Sequence, residues 1–357
     1  MSRSNAREMK DTVFLVLFGL ALLVPAGCVK KTYPTVPGTA DGRYDSEFPG
    51  RNVSSEIGEM AQSVYKVYSV TYFKTYFFEK EARFRQTGLD SGNCKKRASL
   101  VSASHESAIA SGVVILRENN HLCLLTCSHI FDYPDTVIAF YDDPGNLSTD
   151  IIRSVTFREK QEIYVRNLPE CGMFHILARD DSNDLAFIGK LCEGMTREIP
   201  VFRFPAGQSR DLEWGTFVYI LGYPAGTLMV TRGIISNPNS DEEGSFMIDA
   251  LFNKGSSGSI VLALRDGPPH FELVGLVRSV SSKREYFLRP EKEINEYIYY
   301  EDADYSGRIR VGTNEMINYG VTYAVSIDAI REFYQRNRKD LYLSGYNLDA
   351  FLGAGKP

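Results

Sequence analysis

Apolar and polar positions along the 357-residue chain fall into short runs, and most have a period of two. From Ser63 the segment S-V-Y-K-V-Y-S-V-T-Y-F-K-T-Y-F-F alternates and is dense in β-branched and aromatic side chains, which predicts a strand. Further strands are predicted near 110–116, 122–127, 135–141, 151–157, 184–190, 216–222 and 229–236. The series continues through S-F-M-I-D-A-L-F, S-I-V-L-A-L and F-E-L-V-G-L-V. Many short strands punctuated by Gly, Pro and Asn point to an all-β barrel or sandwich. A helical period emerges only at 328–341, where Ile330, Phe333, Tyr334 and Leu341 share a face. Segment 282–318 is charged and tyrosine-rich without alternation. It reads as an insertion between two strands, partly helical.

The N-terminus has a different pattern. A basic start precedes the 16-residue apolar run Thr12–Gly27, short for a spanning helix of about 20 residues and suited to a signal-peptide core. Ala26 and Gly27 before Cys28 resemble a bacterial lipoprotein cleavage site with Cys28 as the lipidated residue, although Pro25 stands where Leu is usual. The expected product is exported, periplasmic or at the cell surface, and held on the membrane by its lipid. Residues 29–57, rich in Pro, Gly and polar side chains, read as a flexible tether. The domain is then expected over 58–345, with 346–357 as a tail.

Charge and composition narrow the function. Net charge is −5, or −6 without residues 1–28, and no dense basic run gives a nucleic-acid footprint. Five cysteines remain after Cys28. Export permits disulfides, but an odd number leaves one thiol unpaired within a single chain. Their pairing is not readable from the sequence, and Cys123 and Cys127 suit a strand core. No zinc-type spacing occurs, and no cofactor is implied.

Candidate chemistry centres on N-K-G-S-S-G-S, Asn253–Ser259, set between two apolar runs. Serine hydrolysis needs a base, a group that orients the base, and donors for the oxyanion. Among the five histidines, His129 ends the apolar segment L-T-C-S-H-I, a rigid mount for a base. Asp184, where the polar S-N-D turn enters an apolar strand, is a candidate for the orienting acid; Asp142, Asp143 and Asp150 remain alternatives on spacing. With Ser257 as nucleophile, glycine at 255 lets the amides of Gly255 and Ser257 form an oxyanion hole.

Together these blocks resemble the trypsin-like, chymotrypsin-fold serine proteases, in particular the bacterial HtrA-type branch. A-S-G-V-V-I-L with L-C-L-L-T-C-S-H-I is similar to the family's strand pair ending in its catalytic histidine. N-D-L-A-F-I-G-K resembles its D-x-A segment, L-G-Y-P-A-G-T-L-M-V-T-R-G-I-I-S its central hairpin, and I-D-A-L-F-N-K-G-S-S-G-S its nucleophile line. F-E-L-V-G-L-V and Y-A-V-S-I-D-A-I-R resemble its pocket strand and its last strand with C-terminal helix. The resemblance spans about 60 to 340. It implies two six-stranded antiparallel β-barrels with a C-terminal helix, and a triad of His129, Asp184 and Ser257 acting on peptides or proteins. The order His, Asp, Ser excludes the Ser, Asp, His order of an α/β-hydrolase. No PDZ-like module is expected after the helix.

Ser256 replaces the family's usual Asn or Asp, and Ser259 with Ile260 replaces Gly-Gly or Gly-Pro. These departures leave a non-cutting protein-binding domain as the alternative function. Leu251, six before Ser257, gives no acidic pocket floor for Lys or Arg, so small or aliphatic side chains are expected, or an acidic group near Arg278.

Overall fold

The computed structural model describes residues 40–141, 150–168, 172–193, 198–241, 244–250, 253–290, 307 and 309–353. Signal segment, Cys28 and residues 29–39 therefore lie outside the described residues, as do Asp142, Asp143, Leu251 and 291–306.

The strands β1 (Val64–Phe77), β2 (Leu100–Glu118), β3 (His121–Thr126), β4 (Thr136–Phe140), β5 (Ile152–Val165), β6 (His175–Asp180) and β7 (Leu185–Leu191) form one antiparallel sheet in the order β4-β5-β1-β2-β3-β7-β6. A bridge between Ile163 and Phe174 joins β5 to the chain entering β6, with Phe174 N donating to Ile163 O at 2.9 Å. Six strands thus close on themselves, and β4 extends the sheet beyond them. The second barrel is closed: β8 (Phe217–Gly222), β9 (Met229–Asn237), β10 (Ser245–Ile248), β11 (Ile260–Leu264), β12 (Phe271–Pro290) and β13 (Ile309–Ser326), in the order β10-β13-β12-β11-β8-β9. The two-barrel architecture with a C-terminal helix is the one the sequence implied.

The uninterrupted apolar runs have a simple cause. Along β3, Leu122 and Leu124 fill the first barrel, whereas Cys123 and Leu125 join the seam between barrels. Along β11, Val261 and Ala263 fill the second barrel, whereas Ile260, Leu262 and Leu264 face that seam. Such strands are buried on both faces, so alternation of polarity disappears. Helix α3 (Ile327–Leu343) closes the seam, burying Ile330, Phe333, Tyr334 and Leu341 as its period predicts. Phe333 stacks on Phe187 of β7 with centroids 4.7 Å apart. Ser326 caps the helix, its Oγ accepting from Ala329 N at 3.1 Å.

Two boundaries differ from expectation. The tether does not extend through 57. Tyr44 is buried beneath Arg265, whose guanidinium lies 4.0 Å from the ring centroid, and its hydroxyl donates to Glu272 at 2.6 Å. Burial and that carboxylate push the Tyr44 phenol well up from its usual range. Helix α1 (Ser54–Gln62) follows, with Met60 in the core. After α2 (Ser91–Arg97) and α3, the expected tail is also packed: Tyr346, Leu348 and Leu352, around α4 (Asp349–Leu352), are buried. A few large apolar side chains are enough to fix a segment whose composition is otherwise polar.

The expected partly helical insertion at 282–318 is β-structure where described. β12 and β13 run on as a paired ribbon from Ser282↔Ile317 to Pro290↔Ile309. Tyr286, Phe287, Leu288, Ile309 and Val311 are exposed on it. Exposed apolar residues at adjacent positions, such as Tyr286, Phe287 and Leu288, leave no period-two pattern there, and the sequence hides the strands.

Candidate active site

The candidate base, His129, sits in a single 3-10 turn, His129–Phe131, directly after β3. Asp184 lies at the mouth of β7 in the left-handed region, φ 56°, a conformation Asp tolerates better than most residues. Its carboxylate is buried and fully engaged. Oδ1 accepts from Ser128 N at 2.9 Å and His129 N at 2.7 Å, and Oδ2 pairs with His129 Nδ1 at 2.8 Å. This clasp fixes ring orientation and places the proton on Nδ1, leaving Nε2 to act as acceptor in the neutral ring. Burial by itself lowers the His129 pKa. The hydrogen bonds to Asp184 and Cys127 outweigh it and push the imidazole up from its ordinary value to about 10.

Neighbouring residues hold the clasp in place. Asp180 accepts from Ser182 N and Asn183 N, each at 3.1 Å, and from Asn183 Nδ2 at 2.9 Å, which shapes the turn presenting Asp184. Arg336 of α3 also bonds Asp180, tying that turn to the helix. Arg179 donates to Ser128 Oγ at 2.8 Å and to Phe131 O at 3.3 Å, and pairs with Asp132 at 3.3 Å, bracing the turn that carries His129. Arg278 Nη2 donates to Ser182 O at 3.0 Å, so this side chain links β12 to the same turn.

The serine-rich loop sits against both barrels. Gly255 has φ +94°, and a Cβ there would meet Tyr223 O at 2.5 Å; Gly258 has φ +77°, and its Cβ would meet Ser111 O at 2.1 Å. Both positions exclude any side chain, which accounts for the density of small residues. Backbone bonds run from Ser256 N to Asn253 O, Gly258 N to Val277 O, and Ser259 N to Ser256 O. Among the described residues, the amides of Gly255 and Ser257 donate to no backbone acceptor. Ser111 N donates to Ser257 O at 2.8 Å. Ser111 Oγ donates to Gly255 O at 3.0 Å, accepts from Tyr223 N at 2.8 Å and meets Ser259 Oγ at 3.2 Å. Ser259 therefore has a partner that a glycine would lack.

The structure thus brings His129 and Asp184 together and places Ser257, buried, in a loop pinned to β2. Among the described residues no hydrogen bond joins His129 to Ser257; Nε2 instead faces Cys127 Sγ at 4.0 Å. Of the other acids, Asp150 is exposed and paired with Arg85 at 3.1 Å. Sequence reasoning missed Ser111, Arg179, Asp180 and Arg336, whose bracing roles depend on contacts made only in the folded chain. Cys94, Cys123 and Cys127 are free and buried, and Cys192 is disulfide-bonded. No group of three His, Cys, Asp or Glu among the described residues is placed to hold a metal.

Residues 110–276 match the family model described as a trypsin-like peptidase domain. A serine endoprotease from Yersinia pestis, among solved structures, is similar at 15% identity over 82% of this chain and 69% of that one, with a TM-score of 0.39. No curated protein matches the chain. That match runs across both barrels, from β2 through the serine-rich loop to β12, so residues 110–276 carry a trypsin-like peptidase domain, which supports a serine endopeptidase.

Proposed function

We propose that the endopeptidase works through His129, Asp184 and Ser257, with the amides of Gly255 and Ser257 as oxyanion hole, on an exported and lipid-anchored chain. The observation that most directly supports the triad is the clasp of Asp184 on His129, through both the ring and the backbone amide. A peptide carbonyl enters beside Ser257. His129 Nε2 takes the Oγ proton as Oγ bonds to the carbonyl carbon, and the two amides bind the oxygen that becomes negative. His129 then returns the proton to the departing amine. Water releases the acyl group by the same steps in reverse roles. Turnover requires Nε2 to exchange Cys127 Sγ for Ser257 Oγ, a rearrangement of the kind that substrate binding produces in resting sites.

Export is supported by the disulfide at Cys192, since such bonds persist in oxidising compartments. Anchoring at Cys28 rests on the small-residue site after the apolar run. Metabolic labelling with a fatty acid tests it: label and membrane partition are expected in the wild type and absent from Cys28→Ala. A soluble, unlabelled wild type would refute the anchor. The non-cutting alternative is favoured by the missing His129–Ser257 bond, and an active-site probe separates the two readings: labelling at Ser257 means cutting, and a folded, unlabelled protein means binding alone.

A further inference from the structure

The first barrel carries a long, uncovered sheet edge that begins at the nucleophile. β2 pairs with β1 all the way from Leu100 to Val113, but with β3 only from Gly112 onward. Val114 N donates to Ser63 O at 2.9 Å, which fixes the alternation: even-numbered residues of β2 bond towards β1. Val101, Ala103, His105, Ser107 and Ile109 therefore turn their N–H and C=O groups outward. No strand pairs with this edge among the described residues, and residues 101–107 are exposed.

Three further observations point to use. The next outward residue, Ser111, donates to Ser257 O, so the open edge runs out of the catalytic cleft itself. The edge lacks Pro, Lys and bulges, the usual protection of a free strand, and Glu106 is its one carboxylate. It is also held rigid: beside it, Tyr76, Phe78, Phe84, Cys94, Ile152 and Val155 form a separate core.

We infer that the outward edge of β2, from Val101 to Ile109, binds one flank of the substrate as an added antiparallel strand. This rests on the peptidase reading of the site. At about 3.4 Å per residue the edge is about 27 Å long, enough for roughly eight substrate residues. Recognition is through main-chain hydrogen bonds, and the small Ala and Ser side chains of the edge impose little selection on sequence. The substrate class is thus an extended or unfolded polypeptide with a long flank on one side of the scissile bond.

The test uses quenched fluorescent peptides sharing one cleaved core, extended by eight residues on either flank, with the full-length protein. Extension on one flank only is expected to raise kcat/KM by about tenfold or more, the gain from two or three added main-chain bonds. Ser107→Pro removes one outward donor without touching the pairing to β1, and His105→Pro does the same one step along. Both should abolish that gain while leaving turnover of the core peptide and Tm near wild type. N-methylation of alternate amides in the flank should do likewise for one parity only. A gain on neither flank, or one that survives both proline variants, overturns the inference. Binding of the same peptides to Ser257→Ala, read by fluorescence anisotropy, needs no turnover: a tighter flanked peptide there supports the edge even if no cleavage occurs, and equal binding refutes it.

Discussion

His129 Nε2 faces Cys127 Sγ at 4.0 Å while its other ring nitrogen is held by Asp184. The imidazole is therefore pushed up from its ordinary value by both partners, against a lowering effect of burial. A base must be neutral to accept a proton. Thus kcat/KM is expected to rise with pH along a limb above the usual imidazole value of about 6.5. Cys127→Ala removes one raising partner, so the limb should move to lower pH. A limb unchanged in the variant would show that the thiol has no role in poising the base. Stability follows the same sign: protonated His129 favours the folded state fully below about 6.5, and that contribution is lost as pH rises through the folded value.

Gly258→Ala combines a positive φ with a clash against the backbone oxygen of Ser111. Stability should fall by about 1–3 kcal/mol. Displacing the amide at 257 should cost about 10²–10³-fold in kcat. Gly267→Ala is the control, because its φ is +80° with open space around the added carbon. It should lose some stability and no activity. Equal kcat losses in the two variants would mean that strain alone, and not the loop's contact with β2, controls turnover.

Asp180→Ala should lower kcat by roughly 10–100-fold, since it releases the turn that aims Asp184 and positioning errors near 1 Å have that effect. Asp150→Ala should leave turnover unchanged, because its exposed pairing with Arg85 is worth about 0–1 kcal/mol at most. Steady-state kinetics of the two variants checks this; a loss confined to Asp150→Ala would contradict the placement of the orienting acid at Asp184.

Ser111→Ala removes a hydroxyl that serves Gly255 O, Tyr223 N and Ser259 Oγ at once. Leaving those buried groups short of a partner should cost about 1–3 kcal/mol and lower Tm. Ser259→Gly removes only one of these contacts and should cost less. Chemical denaturation of both measures the difference, and a larger loss for Ser259→Gly would contradict the network.

What could be read in the sequence was whatever burial imposes locally. β3 and β11 were legible because both of their faces are buried, and α3 because one face is. The first ten residues of β2 and the outer half of β12 were not, since exposure leaves no pattern to read. Tyr44 anchors a segment that resembles a linker by composition, and one aromatic is too small a signal to show that. At the site, the pairing of His129 with Asp184 was readable, along with the glycine requirement of the loop. The bracing by Arg179 and Arg336 was not, because it depends on folding that brings residues as far apart as 156 positions into contact.

The most direct test of the triad is labelling of the purified full-length protein with a fluorophosphonate probe, alongside Ser257→Ala, His129→Ala and Asp184→Asn. Labelling of the wild type that disappears with Ser257→Ala and His129→Ala, and falls sharply with Asp184→Asn, is the result predicted. A folded wild type that takes no label, or label that survives Ser257→Ala, would contradict the assignment of Ser257 as the nucleophile.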